Sequence, residues 1–420
     1  MIARQSILKR LERVRGASSA LRVLPASVKN RVLRTLANQI AANREKLFRA
    51  NRQDLAALPE GTSKAFRDRL AQSEERLRQM TQSLNQVASF DDPNGEVVDT
   101  RTLANGLKAK RMRSPLGVIL MIFESRPDVA VEAFSLAFKS GNAIILRGGK
   151  ESMRTTAAIY ALLQSTLAKF KISTDVFWGI TDADRRITTF LLKQSKLIDI
   201  VVPRGGDRLI DFVVNNTRIP IIKNDRGMCH IYVHDDADLV MATRVVVNAK
   251  TQRPGVCNAM ETLLVHRDVA SVLLPKLYEA MKTHSVEWRV CPKSLNILRK
   301  FADVRAAGRD DFDTEYLDLK INCRIVDGLD AAIEHIERHG SRHSESIITR
   351  SRIVARQFQS AIDAAVVYSN ASTRFTDGFA LGLGGELGIS TQKLHVRGPV
   401  GLRELTSVRW IIDGTGQVRE

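Results

Sequence analysis

From Ser27 onward, Val28, Val32, Leu33, Leu36, Ile40 and Leu47 recur at helical spacing with Lys, Arg and Asn between them. That spacing winds an apolar stripe along one face of a helix. The Ser27 hydroxyl is placed to accept from a free backbone N–H in the first turn. Further helices are predicted over Ser63–Leu70 and Ser73–Val87, and the turn chemistry of Asp91–Gly95 ends the helical region. Ahead of it, Arg4, Lys9, Arg10, Arg13, Arg15 and Arg22 face only Glu12. This reads as a basic first helix of the folded domain, with a mitochondrial presequence as the rival.

The pattern then changes to strands alternating with helices. Val118–Phe123, Ala143–Leu146, Val176–Trp178 and Ile198–Val202 are short apolar runs, separated by helical stretches at Asp128–Ser140, Glu151–Phe170 and Thr181–Gln194. Strand–helix–strand units with short connections imply an α/β fold with a doubly wound parallel sheet. Ligands of such sheets sit beyond the carboxyl ends of the strands, which singles out the loops Glu124–Pro127, Arg147–Lys150 and Pro203–Asp207. A second alternation, with strands at Cys229–Val233, Thr262–Val265, Asn322–Val326, Ser346–Ile348 and Ala365–Tyr368, predicts a second α/β domain. The glycine-rich tail from Thr376 ends in a strand at Ser407–Ile412 with an unpaired edge, suited to another subunit.

A chain of 420 residues is too long for one ordinary core. Its 44% hydrophobic and 26% charged content is that of a globular protein. No apolar run approaches the ~20 residues of a membrane span, so a soluble, cytoplasmic protein is expected. Cys229, Cys257, Cys291 and Cys323 are scattered, which fits reduced thiols better than a disulfide framework or a zinc knuckle. The net charge of +18 invites nucleic acid as a partner. The basic residues are spread along the chain without a recognition motif, so no nucleic acid is expected.

Chemistry concentrates in Gln252–Ala259, where Pro254 and Gly255 break a helix and leave Cys257 on a turn beside Arg253. Positive charge and free N–H groups favour the reactive thiolate. Locally, Cys257 reads equally well as a small buried hydrophobe. The other three cysteines lie in or beside apolar strands and read as packing residues. Arg147-Gly148-Gly149-Lys150 and Arg204-Gly205-Gly206-Asp207 each join a strand to a helix. Their glycines let a phosphate approach backbone donors at a helix N-terminus, although neither loop is a G-x-G-x-x-G or a P-loop. His230 and His395 are read as structural, and no cluster suggests a metal.

Four longer strings then come into play: Met121–Val129 (MIFESRPDV), Gln252–Ala259 (QRPGVCNA), Asn370–Gly378 (NASTRFTDG) and Gly388–Pro399 (GISTQKLHVRGP). Together, and in this order, they resemble the signatures of the γ-glutamyl phosphate reductases of the aldehyde dehydrogenase superfamily, from about residue 7 to the C-terminus. The resemblance implies an aldehyde-dehydrogenase-like fold. Residues 1–226 would bind NADP and carry a flap segment near 98–114, 227–385 would form the catalytic domain, and 386–420 an oligomerisation segment. It also implies NADPH-dependent reduction of γ-glutamyl phosphate to glutamate 5-semialdehyde in proline biosynthesis, coupled to glutamate 5-kinase, in a homo-oligomer. A related dehydrogenase acting on another acyl phosphate or aldehyde is the alternative.

Carried over residue by residue, Cys257 matches the nucleophile that forms a thioester, and its N–H would serve the oxyanion. Ser125 stands where hydrolytic relatives carry an oxyanion asparagine, and Arg126, Asn370 and Arg374 are implied substrate contacts. Arg147, Gly148, Lys150, Gly205, Gly206 and Glu315 are implied cofactor contacts. Lys150 falls where NAD-preferring relatives place a glutamate on the ribose, so NADP is the implied cofactor; a lysine pointing to solvent is the alternative reading. The hydrolytic base of those relatives falls at or near Asp225, which the implied reaction requires to be misaligned or turned away.

Overall fold

The computed structural model describes residues 4–223 and 226–419. It divides into two compact units, Met1–Lys223 with Gly382–Gly388 and Val400–Glu420, and Asn224–Leu381 with Ile389–Pro399.

The first unit opens with five helices: α1 (Arg4–Arg22), α2 (Ala26–Ala42), α3 (Arg44–Ala56), α4 (Lys64–Leu70) and α5 (Glu74–Ser89). Ser63 and Ser73 cap α4 and α5, accepting from Phe66 and Arg76 N–H at 3.2 Å each. Ser27 does not cap α2. It lies inside that helix, which begins after Pro25, a residue whose φ of −60° already suits helix entry. The apolar stripe from Val28 to Leu47 also spans two helices rather than one, because the chain turns at Asn43.

Strands β1 (Val97–Thr102) and β2 (Lys108–Pro115) form a hairpin; β3 (Val118–Phe123), α6 (Asp128–Lys139), β4 (Ala143–Arg147), α7 (Met153–Lys169), β5 (Phe177–Ile180), α8 (Arg185–Leu191), β6 (Ile200–Arg204) and α9 (Asp207–Asn216) follow. Helix α8 is shorter than the predicted Thr181–Gln194, since Asp184 caps it by accepting from Arg186 N–H. The four parallel strands run in the order β5-β4-β3-β6. The chain therefore reverses direction across the sheet between β3 and β6, the switch point at which such sheets open a crevice. Every residue of β3 is buried, as expected of a strand covered on both faces. Ile7, Leu11 and Val14 of α1 pack on one face with Ile187, Leu191 and Val213. Helices α6 and α7 cover the other face, with α2, α3 and α5 outside them.

The second unit contains β7 (Cys229–Val233), α10 (Leu239–Thr251), β8 (Met260–His266), α11 (Arg267–Lys282), β9 (Glu287–Val290), α12 (Pro292–Leu298), β10 (Val304–Ala306), β11 (Lys320–Val326), α13 (Leu329–His339), β12 (Ser344–Ile348), α14 (Arg352–Ala361) and β13 (Val366–Ser369). These strands form one parallel sheet in the order β10-β9-β11-β8-β7-β12-β13. Ile231, Val233, Leu263 and Val265 face α10–α12, whereas Tyr232 and Leu264 face α13 and α14. This alternation is the pleat of a strand buried on both sides.

The C-terminal segment is shared between the units. β14 (Ile389–Ser390) pairs with β15 (Gly398–Pro399) in the second, and β16 (Thr406–Asp413) belongs to the first. β16 pairs along its whole length with β2 of its own chain, giving the sheet β1-β2-β16, so one of its edges is occupied within the chain. Its outer edge has no strand partner among the described residues, and Val408, Trp410 and Ile412 are exposed on it. No helix among the described residues is long and apolar enough to cross a membrane.

Candidate active site

Cys257 is half-buried on the turn between α10 and β8, at the amino edge of the second sheet. Helix α10 ends at Thr251, shortly before Pro254, and Ala259 N–H closes the turn on Val256 O at 3.0 Å. Both legs of the turn are strapped at their base. Lys250, at the end of α10, meets Glu261, near the start of β8, at 3.0 Å, and neither side chain reaches solvent. The second Glu261 oxygen accepts from Leu317 N–H at 3.2 Å. Burial pushes the Glu261 carboxyl up and the Lys250 ammonium down, each opposed by its partner's charge.

The underside of the turn rests on the amino ends of the neighbouring strands. Cys229 Sγ donates to Cys257 O at 3.2 Å. Gly227 lies so close beneath that a Cβ there would overlap the Cys257 carbonyl. Its φ is outside the left-handed region, so close approach and not backbone freedom explains the glycine. Gly227 N–H donates to Glu315 Oε1 at 2.8 Å, which brings Glu315 to the cysteine's supporting layer.

The Asn370–Gly378 string forms the flank. Asn258 Nδ2 donates to Thr376 O at 2.7 Å, and Thr373 Oγ1 donates to Asn258 O at 2.7 Å. Arg374 Nε donates to Gln252 Oε1 at 3.0 Å. The Arg374 guanidinium is lowered by burial, supported by Asp377, opposed by Arg253, and close enough to Cys257 to feel a thiolate there. Asn370 stands at a φ of 57°, and its amide is spent on both sides of the Thr349 backbone, at 3.0 and 2.9 Å. It shapes the loop from which Arg374 projects.

Buried polar groups lie behind this layer. His343 Nδ1 is 2.8 Å from Ser344 Oγ, which donates to Thr376 Oγ1 at 2.7 Å. Burial drives the His343 imidazole down to about 4, so it is neutral at physiological pH. His230 pairs with Glu345 at 3.0 Å, both fully buried, as the structural reading of that histidine required. His395 occupies a φ of 72° between β14 and β15. Cys323 is buried with its thiol pushed up by desolvation, and Cys291 precedes α12 beside Ser294. Among the described residues, His234, Asp235 and Asp236, and likewise Asp235, His266 and Asp268, come within metal-ligand reach at the carboxyl ends of β7 and β8, the end remote from Cys257. Asp225 lies outside the described residues.

In the first unit, the three loops singled out at the carboxyl ends of the strands do meet. Glu124 N–H donates to Arg204 O, and Gly206 N–H donates to the Glu124 carboxylate, both at 3.0 Å. Ser125 Oγ donates to Glu151 at 3.2 Å. A Cβ on Gly149 would press on Ser125, and one on Gly148 on the Phe123 ring. Arg147 turns back to brace its own loop, donating to Gly148 O and, at 3.0 Å, to Ala183 O. Lys150 is exposed at the start of the following turn, and Arg126 is half-buried after Ser125.

The sequence reading took Cys229 for a packing residue and passed over Gly227, Lys250 and Glu261. A usable signal was present for the last two: a lysine directly follows the mainly apolar Val245–Ala249 and a glutamate interrupts Met260–Val265, as partners in a buried pair do.

Residues 3–293 match the aldehyde dehydrogenase family. The chain is 46% identical over 415 residues to γ-glutamyl phosphate reductase of Carboxydothermus hydrogenoformans, covering 98% of this chain and 99% of that one. It is 44% identical to the Clostridium tetani protein of the same name, with 98% of each covered. The crystal structure of γ-glutamyl phosphate reductase from Thermotoga maritima superposes with a TM-score of 0.94 at 42% identity, covering 99% of this chain and 100% of that one. The chain therefore belongs to the aldehyde dehydrogenase family and, within it, to the γ-glutamyl phosphate reductases.

Proposed function

We propose that the chain reduces L-γ-glutamyl phosphate to L-glutamate 5-semialdehyde, with release of phosphate, through a thioester on Cys257. The observation that carries the reading is the Cys257 turn itself: a half-buried thiol with its carbonyl held by Cys229 and seated on Gly227, and with Arg374 on the flanking loop within reach of its charge. Positive charge on that loop favours the thiolate that a nucleophile needs. The thiolate attacks the acyl carbon, the carbon–sulfur bond forms, and phosphate departs with the electrons of the carbon–oxygen bond. The Cys257 N–H is assigned to the developing oxyanion. After reduction of the acyl carbon, the thiohemiacetal oxygen re-forms its carbonyl and expels the Cys257 thiolate.

The residues of the first unit fit a nicotinamide dinucleotide. A carboxylate sits on Gly206 N–H, so the N-terminus of α9 accepts an anion beside the switch point. When bound, the cofactor supplies the hydride. Gly148, Gly205 and Gly206 would hold its phosphates. With Arg147 committed to its own loop, the exposed Lys150 is the cation able to reach a 2′-phosphate, and NADPH is the proposed donor. Ser125 and Arg126 are assigned to the substrate with Arg374. Functional coupling to glutamate 5-kinase, a cytoplasmic setting, and a homo-oligomer using the open edge of β16 complete the reading.

The test is a spectrophotometric assay with glutamate semialdehyde, phosphate and NADP. Wild type should require phosphate, and Cys257→Ala should lose turnover while keeping its fold and cofactor binding. Strong residual turnover in that variant refutes the mechanism, and phosphate-independent oxidation refutes the substrate.

A further inference from the structure

The second unit sets another thiol against the nucleophile's own backbone. Cys229 opens β7 and is fully buried, yet its Sγ lies 3.2 Å from Cys257 O. On its other side the sulfur is 3.7 Å from Nδ1 of the buried His343. The remaining cysteines form a separate pair bridged by Ser294, whose Oγ is 3.3 Å from Cys291 Sγ and 3.8 Å from Cys323 Sγ.

We propose that Cys229 is a resolving thiol for Cys257, making the Cys229–Cys257 disulfide a reversible modification site of this chain. The proposal rests on Cys257 being the reactive thiol of the preceding reading. A half-buried thiolate admits a small peroxide. The Cys257 sulfur attacks one oxygen of hydrogen peroxide; a sulfur–oxygen bond forms, the oxygen–oxygen bond breaks, and the second oxygen leaves as water after taking up a proton. Cys257 is oxidised to a sulfenic acid and the peroxide is reduced. The Cys229 sulfur then attacks the Cys257 sulfur. The disulfide forms, the sulfur–oxygen bond breaks, and hydroxide leaves as water with the proton that Cys229 gives up. Two thiols and one peroxide thus become one disulfide and two waters.

Burial explains why the two cysteines would not exchange roles. Desolvation pushes the Cys229 thiol up, and the Glu345 and Cys257 charges add to it, so Cys229 stays protonated and unreactive until a sulfenic acid stands beside it. Without a resolving partner, the sulfenic acid of an exposed nucleophile proceeds to sulfinic and sulfonic acids, which thiols do not reduce.

The experiment is peroxide titration of the full chain, followed by tryptic mapping without reductant and by activity before and after dithiothreitol. Cys229 and Cys257 fall on the tryptic peptides Gly227–Arg244 and Thr251–Arg267. In oxidised wild type these two should be linked, and dithiothreitol should restore most of the lost activity. Cys229→Ser keeps a hydroxyl that can donate to Cys257 O but cannot form the bond. Relative to its own starting activity it should recover roughly tenfold less, with Thr251–Arg267 carrying two or three added oxygens. Absence of the linked pair from oxidised wild type overturns the proposal, and so does equal recovery by Cys229→Ser. Mapping of the wild type stands even where the variant folds poorly. An active Cys257→Ala refutes the nucleophile instead, whatever the mapping gives.

Discussion

Gly227→Ala is the substitution through which the support of the proposed nucleophile can be measured most directly. The added methyl would lie 2.7 Å from Cys257 Cα, and nearer still to its carbonyl carbon and oxygen. The limiting atom is the Cys257 carbonyl oxygen at 1.5 Å; heavy atoms in contact settle at about 3.5 Å, so the β7 lead-in and the Cys257 turn must separate by roughly 2 Å, shared between them. The neighbouring atom is backbone, so no rotamer change relieves the overlap. Separation strains two bonds that align the turn, Gly227 N–H to Glu315 at 2.8 Å and Cys229 Sγ to Cys257 O at 3.2 Å. Overpacking of this kind costs about 1–3 kcal/mol of stability, which a chain of this size survives. A displacement of about 1 Å at a reacting atom costs about a hundredfold in rate. The variant should therefore fold, lose a few degrees of Tm, bind NADP with unchanged affinity, and show kcat reduced about a hundredfold in the phosphate-dependent assay. Gly16→Ala is the matching control, since no atom lies within 4 Å of a Cβ there and the residue sits inside α1. It should gain roughly 0.5–1 kcal/mol and leave kcat alone. A Gly227→Ala protein that folds and keeps more than half of the wild-type kcat would refute the argument that this contact places the nucleophile.

Lys250→Met should destabilise by about 3–5 kcal/mol in urea unfolding, because Glu261 is left as an unpaired buried acid, and adding Glu261→Met should return most of the loss. Lys150→Glu replaces an exposed cation with an anion. If Lys150 reads the 2′-phosphate, the ratio of kcat/KM for NADPH over NADH should fall about tenfold to a hundredfold; an unchanged ratio removes Lys150 from that role. His343 gives a pH signature. Its folded value, about 4, lies below the unfolded 6.5, so its contribution is fully present above pH 6.5 and is lost as pH falls from there through about 4, where the unfolded chain takes up the proton first. The loss is about 3 kcal/mol at most, and urea unfolding of His343→Gln across that window should be correspondingly flatter.

What the sequence disclosed follows from the range over which each feature is determined. The strands of both parallel sheets were legible because burial on two faces writes continuous apolar runs such as Val118–Phe123 and Cys229–Val233. β1 was not read as a strand from its pattern because it is mostly exposed, and β9 and β10 are too short for a period to register. Ser27 misled because capping depends on which residue leaves helical geometry first, and Pro25 does so two positions earlier. The site divides in the same way. In the first unit, the rule that ligands sit at the carboxyl ends of strands led to three loops that do meet. In the second unit that rule points to the wrong edge, because Cys257 precedes β8 and lies at the amino end of the sheet. A proline–glycine break marks the turn of Cys257, but that pattern fitted a packing residue equally well, and the choice rested on the resemblance of the whole string Gln252–Ala259. The groups that hold that turn come from far along the chain. Cys229 is 28 positions from Cys257, Glu315 is 88 from Gly227, and Asn258 is 115 from Thr373. A turn at the amino edge of a parallel sheet is supported by whichever strands the topology places beside it, here β7, β11 and β12. Neighbouring positions in the sequence hold no record of that choice, so the proposed nucleophile could be picked out from its own string while its support required the fold.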